Sequence, residues 1–136
     1  MSDMSAQVRR ALDVAVAAIG GSAREGQIEM AEAVANALTD RHHLMVQAGT
    51  GTGKSLAYLI PGIVHGRKVL VATATLALQR QLVDRDLPAV VPALEKELGR
   101  DISYAIYKGV GNYVCLQKMN SEDIDPDTEL VMEVSS

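Results

Sequence analysis

The sequence predicts an α/β domain built on a parallel sheet with helices on both faces. Three observations carry that prediction. Apolar runs without alternation, "HLMVQA" at 43–48, "KVLVAT" at 68–73 and "ISYAIY" at 102–107, have the character of strands buried on both faces. Segments of helical periodicity lie between them, and such alternation favours parallel pairing through right-handed crossovers. A glycine-rich stretch, "VQAGTGTGKS" at 46–55, joins the first run to the helix after it.

The helices follow in order. Val8, Leu12, Val16 and Ile19 recur at helical spacing, and Gly20-Gly21 supplies a stop. Residues 27–39 repeat the pattern, with Ile28, Ala31, Val34 and Leu38 on one face. "GKSLAYLIPGIV" at 53–64 reads as a helix that Pro61 bends or ends. "LALQRQLVDRDL" at 76–87 is another, after which Pro88 and Pro92 leave a turn or two in "ALEKELG" at 93–99. From residue 120 the acidic "NSEDIDPDTELVMEVSS" reads as a linker or tail, with "ELVMEV" at 129–134 as an alternative edge strand.

Composition narrows the class. A chain of 136 residues, 48% hydrophobic and 22% charged, suits one soluble domain or a piece of one. With no Phe or Trp and four Tyr, its core must be aliphatic. A net charge of −4 excludes a globally basic nucleic-acid binder, so any such contact is local. One cysteine excludes an internal disulfide and fits a reducing, cytoplasmic compartment. The N-terminal apolar stretch is interrupted by Arg9, Arg10 and Asp13, so it reads as neither a secretion signal nor a membrane span.

The glycine-rich stretch carries the chemistry. Gly53-Lys54-Ser55 completes the pattern G-x-x-x-x-G-K-[ST], with Ala48 in place of the first glycine. Gly49, Gly51 and Gly53 allow successive backbone N–H groups to converge on an anion, and the following helix adds its dipole. Lys54 can then reach the β- and γ-phosphates, and the Ser55 hydroxyl can ligate Mg²⁺. Thr50 and Thr52 shape the loop. A merely solvated glycine turn is the bland alternative; the spacing and the strand–loop–helix context weigh against it. Upstream, Gln27 offers the bidentate amide geometry that reads adenine, and Arg24 can lie flat against a base. Read alone, R-x-x-Q is equally an ordinary polar helix start.

Four segments, "REGQ", "AGTGTGKS", "VATATLALQRQL" and "YKGVGNYVC", occur in that order within residues 22–118. As a set they resemble the superfamily 2 iron–sulfur DNA helicases of the DinG/XPD type. The resemblance implies a RecA-like P-loop NTPase domain that couples ATP hydrolysis to movement along single-stranded DNA, in a DNA-repair setting. It makes Arg24 and Gln27 the adenine-recognising motif and residues 48–55 the Walker A loop, with Lys54 and Ser55 catalytic. It places Thr73, Thr75 and Gln79 on the DNA backbone, where hydroxyls and N–H groups fix phosphates without reading sequence. Cys115 becomes the first of four ligands to a [4Fe–4S] cluster in a longer protein, and Tyr107 and Lys108 fall near DNA. By their own chemistry Thr73 and Thr75 are also plain strand-end residues, Gln79 a helix-face residue, and Cys115 an inert thiol. One cysteine builds no four-thiolate site. Arg80 and Arg85 stand beside Asp84 and Asp86 as ordinary surface pairs, and His42-His43 have no third ligand at metal-site spacing.

The family's D-E-A-H sequence, whose carboxylates serve Mg²⁺ and the attacking water, does not occur in these residues. The expected organisation is therefore an N-terminal helix at 1–21, a partial RecA-like domain at 22–119, and a tail or the start of an insertion at 120–136. Such a chain is expected to bind ATP or ADP with Mg²⁺ weakly and to turn over little or none by itself. A small P-loop kinase or NTPase, or a non-enzymatic nucleotide-binding module, are the competing classes. Unpaired sheet edges predict marginal stability and aggregation. No membrane and no protein partner is implied.

Overall fold

The computed structural model describes residues 3–49, 53–114 and 116. Among the described residues the α-helices with described bounds are α1 (Asp3–Ala18), α2 (Glu25–Asp40), α3 (Lys54–His65), α4 (Leu76–Arg80) and α5 (Leu87–Leu98). A π-helical segment, Gln81–Asp86, joins α4 to α5, and Val110–Asn112 makes a 3₁₀ turn. Residues up to Ala105 make up one compact unit; the 3₁₀ turn belongs to a second.

The first unit is a helical layer with an aliphatic core, as the absence of Phe and Trp requires. Val8, Ala11, Leu12, Ala15 and Val16 of α1 pack with Ala31 and Ala35 of α2, Leu56, Ala57, Ile60 and Val64 of α3, and Val90 and Leu94 of α5. A second cluster gathers Leu59, Leu82, Leu87 and Val91. Two surface ion pairs tie α1 to its neighbours, Arg9 with Glu32 at 2.8 Å and Arg10 with Glu97 at 3.8 Å. Exposed pairs of this kind contribute little beside the aliphatic core.

Helix ends follow their local chemistry. At the end of α1, Gly20 takes the left-handed conformation (φ 77°), Gly20 N–H donates to Ala17 O and Gly21 N–H to Val16 O. This Schellman arrangement satisfies carbonyls the helix leaves open, and it places Ile19 outside α1, half-exposed rather than in the core. The end of α2 uses Arg41 in the same left-handed region (φ 56°), although it carries a Cβ. Arg100 donates to the Ile63 and Val64 carbonyls, closing the last turn of α3 across a sequence gap of 36–37 residues.

Pro61 does not end α3, which continues to His65. Pro88 and Pro92 likewise lie within α5 rather than breaking it, so the helical run from Leu76 extends to Leu98. Proline cannot donate to the residue four back, and its ring crowds that carbonyl. The π turn relieves both problems just ahead of Pro88. Leu87 N–H reaches back five residues to Leu82 O, widening the coil where the ordinary ladder would fail.

The expected sheet is the main difference. Among the described residues no strand is paired, and 43–48, 68–73 and 102–107 carry no regular backbone ladder. Each of the three nevertheless touches the helical layer. Leu44 and Val46 line an open hollow of about 480 Å³ with Met30, Val34, Leu38 and Tyr58. Val69 lies against Gly62 of α3, where an added Cβ would stand 3.2 Å from its side chain. Ile102 packs on both clusters, and its N–H donates to Glu95 Oε1 at 2.8 Å.

Candidate nucleotide site

Two elements and one loop converge here. The loop arrives from residues 43–48 and enters α3 at Gly53, whose φ of 73° is the left-handed conformation that favours glycine. Thr50, Gly51 and Thr52 lie outside the described residues. Gly53 is the N-cap of α3 and supplies no side-chain acceptor, so no cap side chain takes up the first N–H groups of the helix. Their dipole and donors suit an anion.

Lys54 and Ser55 open α3, both half-buried. The Lys54 Nζ donates to Ala48 O at 2.9 Å, so the amine folds back across the base of the loop. Gly49 is exposed beside it.

Gln27 comes from the first turn of α2. It is only 6% exposed, and its Nε2 donates to Gly53 O at 3.0 Å. Residues 26 positions apart in sequence, one in the Arg24–Gln27 motif and one in the phosphate loop, are therefore directly bonded. Sequence reasoning missed this link. The signal was present: Gln27, Ala31 and Ala35 fall at i, i+4 and i+8, which is the buried stripe of α2. The face expected from Val34 and Leu38 is instead the half-buried side that meets Leu44 and Val46. Arg24 is the N-cap of α2, exposed, with its carbonyl accepting the Gln27 and Ile28 N–H groups.

Thr73 and Thr75 lie on the approach to α4, and Gln79 lies within it. The Thr75 hydroxyl caps that helix by accepting Leu78 N–H at 3.2 Å, and Thr73 Oγ1 donates to Thr75 O at 3.2 Å. Gln79 is half-buried, with its N–H on Thr75 O. These residues are brought together, and the two hydroxyls already shape the turn. Cys115 lies outside the described residues. His42 and His43 are exposed, and among the described residues no His, Cys, Asp and Glu cluster could hold a metal. In the second unit Tyr107 is 84% exposed, and Lys108 N–H donates to the Tyr113 hydroxyl at 3.2 Å. No helix among the described residues is long and apolar enough to cross a membrane.

A nucleoside triphosphate with Mg²⁺ fits these residues. The left-handed Gly53, an α3 start without a side-chain cap, and the amine at the loop base match an anion's needs. Ser55, the second residue of α3, offers a hydroxyl for the metal.

Comparison with known proteins accords with this geometry. The chain is 54% identical over 122 residues to the ATP-dependent helicase DinG of Mycobacterium tuberculosis H37Rv, covering 87% of this chain and 18% of that protein. It is 45% identical over 103 residues to the ATP-dependent DNA helicase YoaA of Escherichia coli K12 (76% of this chain, 16% of the relative). With the protein called 3'-5' exonuclease DinG in Bacillus subtilis 168 it shares 34% over 119 residues (82% and 12%). The chain thus spans under a fifth of the length of these relatives. No solved structure matches it. The model of the DEAD/DEAH box helicase family matches residues 27–112, from the bonded Gln27 through the phosphate loop to the 3₁₀ turn. That match covers more than half of the chain, and the protein belongs to the DEAD/DEAH box helicase family, whose motor domain is a RecA-like P-loop fold.

Proposed function

We propose that this chain is the ATP-binding segment of an ATP-dependent DNA helicase of the DinG type. The observation that carries the reading is the junction at Gly53. There the Arg24–Gln27 motif and the phosphate loop meet through one hydrogen bond, with Lys54 Nζ across the loop base.

In this reading Ala48, Gly49, Thr50, Gly51, Thr52 and Gly53 wrap the phosphates with backbone N–H groups. Lys54 offsets charge on the β- and γ-phosphates, and Ser55 holds the metal. Arg24 and Gln27 face the adenine. Mg²⁺, when bound, neutralises charge on the β- and γ-oxygens. Thr73, Thr75 and Gln79 contact the backbone of single-stranded DNA at the start of α4, and Cys115 ligates an iron–sulfur cluster with cysteines other than those of these residues. In a longer protein that supplies strand partners, the runs at 43–48, 68–73 and 102–107 would pair into a parallel sheet with helices on both faces, in a cytoplasmic protein acting in DNA repair. No D-E-A-H sequence occurs in the chain, so Lys54 and Ser55 bind and orient the nucleotide here without carboxylates to direct water.

Calorimetric titration with Mg-ATP and Mg-GTP tests the reading. ATP is expected to bind more tightly than GTP, and Lys54→Ala to abolish both. Absence of ATP binding to the folded chain would overturn it.

A further inference from the structure

We propose that the π turn at Gln81–Asp86 is a phase joint: it fixes the rotation of α4 about its own axis, and so aims the turn at Thr73 and Thr75. Leu82 and Pro88 are then positioning residues for the backbone of single-stranded DNA. This rests on the DNA contact proposed above for Thr73, Thr75 and Gln79.

The spacing of apolar residues from Leu78 to Val91 requires such a joint. Leu82, Leu87 and Val91 are buried in the second cluster, and Leu78 packs against it. These residues follow one another at steps of four, five and four. Four residues of an α-helix return to within about 40° of the starting face, whereas five overshoot it by about 140°. The wide turn removes that overshoot, because Leu87 N–H closes on Leu82 O five residues back. Gln81 Nε2 donates to Asp86 Oδ2 at 3.3 Å across an equal step. Pro88 has no N–H to close an ordinary turn on Asp84 O, which favours the wide one.

A competing register lies one residue away. Val83, half-buried, stands four residues before Leu87, where an unbroken α-helix would put it on the seam. Exchange of the two registers turns α4 by about 100° and moves it about 1.5 Å along its axis. Gln79 would then replace Leu78 against the cluster. The turn ahead of α4 is fastened to it and follows that rotation. Thr75 O accepts both the Thr73 hydroxyl and Gln79 N–H, and the Thr75 hydroxyl accepts Leu78 N–H. No residue of α4 is fully buried, so the wide turn and the Leu78 contact set its orientation.

Two variants of the 136-residue chain separate phase from the proline and the wide turn themselves. Deleting Val83 together with Pro88→Ala straightens the helix but makes every step of the stripe four, which keeps the phase. Leu82→Ala with Pro88→Ala hands the seam to Val83 and turns α4. Nuclear Overhauser contacts from Leu78 to the methyls of the second cluster read the phase. Anisotropy of a fluorescein-labelled oligothymidine, measured below the melting temperature of each chain, reads the DNA contact. The deletion variant is expected to keep both the Leu78 contacts and wild-type affinity, and loss of either overturns the proposal. The Leu82 variant is expected to lose the Leu78 contacts and to bind about tenfold more weakly. Retention of either there overturns the proposal too. If the wild-type chain binds no oligothymidine, the DNA contact itself fails and the aiming role with it, whatever the Leu78 contacts show. Should the Leu82 variant not fold, the deletion variant decides alone by the same criterion.

Discussion

The helices of the first unit and the apolar runs at 43–48 and 68–73 between them have opposite fates. Leu12, Ile60, Val90 and Leu94 are completely buried, whereas Met45 is 97% and Leu70 90% exposed. The difference lies in where the backbone hydrogen bonds close. A helix satisfies its N–H and C=O groups within its own segment, so α1, α2, α3 and α5 need only each other's apolar faces. A strand satisfies them on a neighbour, and among the described residues 43–48 and 68–73 have none. Hydrophobicity alone does not bury a segment whose polar backbone lacks a partner. Gly53, the N-cap of α3, sits on the border between the two regions, bonded to Gln27 of α2.

Substitutions can break this comparison. The largest effect is expected at Ile60→Ala in the layer, about 3–4 kcal/mol of destabilisation from the lost apolar contacts and the cavity left behind. Denaturant unfolding checks it. Gly53→Ala comes next, losing about 1–2 kcal/mol from the left-handed backbone and more from collision with the Gln27 amide. That variant should also fail to bind Mg-ATP in a titration. Arg100→Ala should lower stability by about 1 kcal/mol by uncapping the Ile63 and Val64 carbonyls. Arg41→Gly should raise it by about 0.5–1 kcal/mol, since glycine adopts the left-handed position without a Cβ penalty. Smallest of all, Leu70→Ser should change unfolding free energy by no more than about 0.5 kcal/mol while reducing aggregation measured by light scattering. A loss at Leu70 matching that at Ile60 would erase the distinction between the two regions.

Much of the helical layer was legible in the sequence. The spacing of Val8, Leu12 and Val16 located α1 and its buried face, and the glycine-rich stretch located the loop and the start of α3. The proline signals misled. Pro88 and Pro92 read as a break because the ordinary ladder cannot pass them; a π turn is a nonlocal compromise that no local propensity announces. The α2 face was also only partly readable. Ile28, Val34 and Leu38 are its bulkier residues, but the small Ala31 and Ala35 allow close helix approach and form the packed side, taking Gln27 with them. The bond from Gln27 to Gly53 depends on that rotation of the helix, so motif spacing alone could not reveal it. Arg100 capping α3 from beyond α5 is invisible in sequence for a similar reason: its partners lie 36–37 residues away.

Hydrogen–deuterium exchange of the chain, with and without Mg-ATP, tests most directly whether the helices stand without a sheet and hold the loop. Amides of α1, α2, α3 and α5 should exchange slowly, those of 43–48 and 68–73 rapidly, and Mg-ATP should protect residues 48–55 above all others. Equally slow exchange in 68–73 and α3 without nucleotide would show a paired sheet in solution and contradict the self-sufficient helical layer. Lack of ATP-dependent protection at 48–55 would contradict the nucleotide site itself.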